Sequence, residues 1–156
     1  IHRTAVGGPF ALTESLAISE YLDEIYPAPG YVRLLPAQPV QRARARQIML
    51  YLRMNLQALR EARPTSTVFG RPNAKPMPEA ARAEADELVR IALALIPEEA
   101  GPIFGAWSIA DADLALTLMR LVANQDVTDR KLVQYATAQF DRTSVRRFVA
   151  HLPTSR

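Results

Sequence analysis

The segment SIADADLALTLMRLVAN, residues 108–124, leaves this chain few folds to choose from. After its first turn it is apolar on nearly every side, and a helix of that kind is buried all round. Other elements must pack around it, and the sequence offers helices. Ile48, Met49, Leu52, Leu56 and Leu59 form a wide stripe on a helical pattern from about 40 to about 63, stopped by Pro64. Ala81, Ala85, Leu88, Ala92 and Leu95 mark one side of a second helix over 79–96. Ala17, Ile18, Tyr21, Leu22 and Ile25 recur in steps of three and four, which predicts a helix over 14–25 that YPAPG ends. Shorter helices are predicted over 129–138 and 143–151. PTSTVFGRPNAKPMP and PEEAGPIFGAW read as irregular connections. Only the first dozen residues read as strand or turn. The expected body is an all-α bundle behind a non-helical stub. One short strand at 10–12 has no partner in the sequence, so it packs as coil or its sheet lies upstream of Ile1.

With 156 residues, about half of them hydrophobic, the chain can build one ordinary core or the larger part of a two-part protein. No apolar run reaches the roughly 18 residues a membrane span needs, and the first residues lack the pattern of a signal peptide. Cysteine is absent, which excludes disulfides, thiolate metal sites and a cysteine nucleophile within the chain. That composition fits a reducing compartment, and a cytoplasmic location is expected. His2 and His151 are too few and too far apart for a metal site, so no metal is expected. The net charge of +3 is too weak to argue for nucleic acid. Arg42, Arg44 and Arg46 step by about 200° on a helix, so they share no face and read as solvated. Arg53 and Arg60 are seven apart and do share one, either as exposed ion-pairing residues or as a cleft wall. VGGPF reads as a turn rather than a nucleotide cradle.

Two segments carry more specific signals. SIAD has the spacing of a capping box: Ser108 caps the helix, and the Asp111 carboxylate reaches back to the Ser108 amide. Trp107 and Ala112 hold the staple positions around it. Asp113 has no such task by spacing and reads as an early acid that favours the helix dipole. In TES, residues 13–15, two readings stand side by side. In one, Thr13 is the N-cap, Glu14 favours the dipole and Ser15 is incidental. In the other, the helix start and the Ser15 hydroxyl hold a carboxylate while Glu14 pairs with an ammonium, together recognising an α-amino acid.

TESLAISEYL resembles the Glu-Ser-x-Ala-Ile segment that closes the thioredoxin-like domain of the glutathione transferase superfamily. FGAWSIADADLAL, about ninety residues later, resembles the capping-box segment of that family's helical second domain. RARARQIMLYLRMNLQALREARPTSTVFG and YATAQFDRTSVRRFVA are similar to a bacterial, YfcF-like branch. The resemblance implies a mainly α chain: a remnant of the thioredoxin-like domain over 1–27, a linker over 28–38, and the all-α C-terminal domain over 39–156. It implies that Ser15 and the helix start bind the γ-glutamyl carboxylate of glutathione and that Glu14 holds its amino group. Arg53, Arg60 and Trp107 would then border the second-substrate cleft, and Ser108 and Asp111 stay structural. The activity implied is attack of the glutathione thiolate on an electrophile, or reduction of a peroxide, by a cytoplasmic homodimer with glutathione as its only cofactor. The catalytic residue is unknown; in the family it sits near the start of the thioredoxin-like domain, ahead of the segment matched here. The alternative is a non-catalytic member that serves dimerisation or protein interaction.

Overall fold

The computed structural model describes residues 2–3 and 8–152. Among the described residues, eight helices follow a hairpin of two two-residue strands. Strand β1 (His2–Arg3) pairs antiparallel with β2 (Pro9–Phe10), with His2 opposite Phe10. The expectation of a strand without a partner is therefore corrected, since the partner lies a few residues upstream in the same chain. The turn reading of VGGPF falls partly outside the described residues. Gly8, at φ 78°, takes a left-handed conformation that suits glycine.

Helix α1 (Ser15–Ile25) comes next, then α2 (Pro39–Met54), α3 (Gln57–Ala62), α4 (Thr65–Phe69), α5 (Glu79–Leu95), α6 (Ile109–Val122), α7 (Arg130–Phe140) and α8 (Thr143–Ala150). Local signals set several of these starts. Pro39 occupies the first turn of α2, where a missing amide hydrogen costs nothing, and the Gln38 side chain accepts from the Gln41 amide. Asp129 caps α7 by accepting from the Leu132 amide.

The expected single helix over 40–63 is two helices. Asn55 and Leu56 interrupt it without any proline or glycine. The cause is tertiary: Glu84 on α5 accepts from the Leu59 amide at 2.8 Å, taking a donor that a continuous helix would give to its own backbone. Leu56 is turned into the core, 1% exposed. The connection read as irregular after Pro64 also opens with a short helix, α4, because Pro64 is a permissible N-cap and the Thr67 amide and hydroxyl both return to its carbonyl.

Helix α6 is the axis, packed against α7 and α2 most closely, then α4 and α5. Its Leu114, Leu118 and Leu121 join Ile48, Leu52, Leu59, Leu88, Leu132 and Tyr135 in one core. Each fully buried leucine contributes about 1.5–3 kcal/mol. A second, smaller cluster of Leu35, Ala45, Met49 and Ala110 receives Leu16, which seats α1 on the bundle. The linker stitches the same junction: Leu34 donates to the Asp23 carboxylate on α1 and accepts from the Ile109 amide opening α6.

The predicted apolar face of α1 is not its buried face. Ile18 and Leu22 are each 38% exposed, and Ser19 is the one residue of α1 that is fully enclosed, donating to the Ser15 carbonyl. Among the described residues no helix is long and apolar enough to cross a membrane.

Candidate functional site at the start of α1

Helix α1 begins at Ser15, and its N-cap position is Glu14, not Thr13. No side chain caps it, so the first-turn amides of α1 keep their donors directed outward at the positive end of the helix dipole. Glu14 holds φ 64° and ψ 114°, a conformation that a residue with a Cβ adopts only under constraint, at about 1–3 kcal/mol. Strain of this size is found where surrounding structure fixes a functional geometry. Thr13, Glu14 and Ser15 are all exposed.

Arg53, in the last turn of α2, reaches this point from the bundle. Its Nη1 donates to Ser15 Oγ at 2.5 Å, and its Nη2 donates to Asp113 Oδ2 of α6 at 2.6 Å. Three helices thus meet in one chain of bonds, Ser15 to Arg53 to Asp113. Burial pushes the Asp113 carboxyl above its ordinary value, and the Arg53 charge and hydrogen bond only partly offset this. Because Ser15 Oγ accepts from Arg53, its own O–H hydrogen points away from the guanidinium and remains a donor. A hydroxyl donor beside open first-turn amides is a carboxylate-binding arrangement.

The other sequence-predicted residues lie elsewhere. Arg60 belongs to α3, so the helix break removes the common face it was expected to share with Arg53. Its charge acts instead on Arg120, whose guanidinium burial and then Arg60 pull below its ordinary value. Trp107 lines an apolar cavity with Phe69, Phe140 and Phe148, and neither Ser15, Arg53 nor Arg60 reaches it. Arg42 and Arg44 make local bonds, but Arg46 forms a bidentate pair with Glu20 of α1, at 2.5 and 2.8 Å, and so is not merely solvated.

The capping box forms, with the Ser108 amide donating to Asp111 Oδ2 at 2.8 Å. Asp111 is wholly buried and does more than close the box. It also accepts from the Ser108 hydroxyl, the Ile103 amide and the Tyr135 hydroxyl. Burial first, then the Asp111 charge and hydrogen bond, push the Tyr135 phenol far above its ordinary value. This polar centre holds α6, α7 and the loop before α6 together and has no solvent access, which makes it structural.

Asp113 is the residue that sequence reasoning missed. Its signal was present as the second acid of DAD, one that capping left unemployed, but its partner lies sixty positions away.

The chain is an all-α bundle wrapped around a capped central helix, with a short lead-in whose helix start carries no side-chain cap. Residues 39–153 match the family described as Glutathione S-transferase, C-terminal domain. The chain belongs to the glutathione S-transferase family. Among nine matching solved chains is a glutathione transferase homolog from Burkholderia gl BGR1 with bound glutathione. It is 41% identical, with a TM-score of 0.73 over 90% of this chain and 67% of that one. No curated protein matches.

Proposed function

We propose that the start of α1 anchors glutathione and that the intact protein is a glutathione transferase. The carrying observation is the Arg53–Ser15 bond, which fixes the hydroxyl beside uncapped amides. In this reading the γ-glutamyl carboxylate accepts from the Ser15 hydroxyl and the first-turn amides. Glu14 pairs with the ammonium, its constrained backbone holding the carboxylate at a set distance. Arg53 positions Ser15 and adds positive potential, while Asp113 holds Arg53. The solved relative with bound glutathione supports the ligand.

The chemistry follows from the thiol. A free thiol with a pKa of about 8.5 is mostly protonated at neutral pH, so a transferase must favour the thiolate before it attacks an electrophile or a peroxide. No residue of this chain is assigned that task; the chain supplies the anchor. The open face of α1, with Ile18 and Leu22, suits packing against the remainder of a thioredoxin-like domain. Leu50 and Met54, both exposed and one turn apart on α2, suit a two-fold homodimer. A cytoplasmic setting, where glutathione is reduced, completes the reading.

Calorimetric titration with glutathione tests it. Ser15→Ala should weaken binding by roughly 1–3 kcal/mol, the value of a bond to a charged group. Unchanged affinity in Ser15→Ala would remove Ser15 from the site, and no binding by the unsubstituted protein would remove the proposal.

A further inference from the structure

Arg120 is a buried charge that the fold does not balance. It lies near the end of α6 and is 8% exposed, yet no ion pair among the described residues includes it. Its partners are neutral oxygens: Nη1 donates to the Arg63 carbonyl at 2.6 Å and Nη2 to Thr65 Oγ1 at 3.0 Å. A guanidinium this deep normally has a carboxylate against it, as Arg63 has in Asp126. A second cation adds to the imbalance. Arg60, in the last turn of α3, is half-buried, and its guanidinium forms no hydrogen bond or ion pair among the described residues. Its sequence neighbour Glu61 accepts from Gln57 instead. Burial first, and then the Arg60 charge, pull Arg120 below its ordinary value, so the two guanidinium groups repel each other.

Thr65 links this pair to the surface. It opens α4 and is exposed. Because its oxygen accepts from Arg120, its own O–H hydrogen points away from that guanidinium and remains a donor. We propose that the junction of α3, α4 and α6 binds a doubly charged tetrahedral oxyanion, a sulfate or phosphate group. The anion accepts from the Arg60 guanidinium and the Thr65 hydroxyl. Arg120 stands behind Thr65, orients that hydroxyl and supplies the second positive charge through surroundings where charges act strongly. Two negative charges balance two guanidinium groups. Tetrahedral oxygens suit donors that arrive from different helices, whereas a planar carboxylate suits the fork of a single arginine. The inference uses none of the groups assigned to glutathione.

Binding is measured by calorimetry on the whole chain without glutathione. Sulfate, inorganic phosphate at pH 8, glycerol 3-phosphate and acetate are titrated at constant ionic strength in chloride, which holds screening fixed. Sulfate should bind about tenfold tighter than acetate, and phosphate should follow sulfate. Glycerol 3-phosphate binding as tightly as phosphate assigns a phosphoryl group on a larger molecule, and binding of the inorganic ions alone assigns the free ion. Arg60→Gln should weaken sulfate about tenfold and Thr65→Val about threefold. Arg44→Gln, which removes an exposed charge on α2, should leave sulfate affinity unchanged and so separates the site from general attraction of anions to a basic protein. Stability gives a second readout. With chloride as the only anion, Arg60→Gln should raise the urea midpoint because it ends the repulsion, and sulfate should then raise the parent's midpoint more than the variant's. Equal affinity for sulfate and acetate overturns the proposal. So does sulfate affinity that survives Arg60→Gln, and so does sulfate stabilisation of equal size in the two proteins. A separate glutathione titration of the unsubstituted protein reports on α1, so failure at one site is not mistaken for failure at the other.

Discussion

Ser15 has one hydroxyl and uses half of it inside the protein. Arg53 donates to its oxygen, and that bond leaves the hydrogen for a ligand. Asp113 completes the line, and its carboxyl is held above its ordinary value of 3.8, mainly by burial. The consequence for stability has a definite sign. A carboxyl with a raised folded-state pKa binds more protons folded than unfolded, so its contribution falls as pH rises from the unfolded value through the folded one. Asp113 therefore favours the fold below about pH 4 and costs stability above. Asp113→Asn removes this dependence. The urea midpoint of the variant should decline less than that of the parent as pH is raised from about 4 toward neutrality, although the amide weakens the hold on Arg53. A parallel pair of curves would mean that Asp113 titrates normally.

Between elements, the ion pair of Arg63 and Asp126 ties the end of α3 to the loop after α6. It is bidentate, at 2.6 and 2.9 Å, with Arg63 almost wholly buried. Asp126→Ala strands that guanidinium and should cost about 3–5 kcal/mol in a denaturant titration, while Arg63→Met with Asp126→Leu should cost far less, since breaking a buried pair is worse than replacing it. Ser108→Ala opens the capping box and should cost about 0.5–2 kcal/mol with glutathione affinity unchanged. The two cases differ in how far the sequence discloses them. The capping box is local, three residues apart, and so was legible from spacing. The period of α5 and the all-round apolar character of α6 were legible for the same reason. The break between α2 and α3 was not, because the group that enforces it, Glu84, sits on another helix. Arg53 was singled out in the sequence as a cleft residue, yet its partners Ser15 and Asp113 become neighbours only once three helices have packed.

Over the whole molecule, stability is unevenly spread. Helices α2, α3, α5, α6 and α7 share one continuous core, whereas α1 buries only Ser19 and contributes Leu16 to a small satellite cluster. Polar contacts among the described residues add to this: Arg46 to Glu20, Arg53 to Ser15, and the Leu34 amide to Asp23. The Arg46–Glu20 pair is substantially exposed and holds little, about 0–1 kcal/mol. The helix proposed to anchor glutathione thus shares little of the bundle's core. Native-state hydrogen exchange should therefore find two units, with α1 opening at lower free energy than α6 and α7. Glu20→Ala cuts the Arg46 bond to α1 without creating a core cavity and without touching α6. It should speed exchange in peptides covering 15–25 while leaving those covering 109–122 unchanged, and saturating glutathione should restore protection to the first set alone, since a ligand stabilises the state it binds. Equal acceleration in both sets would make α1 part of the main cooperative unit. The open helix start would then belong to a site built as firmly as the core, not to one that ligand binding tightens.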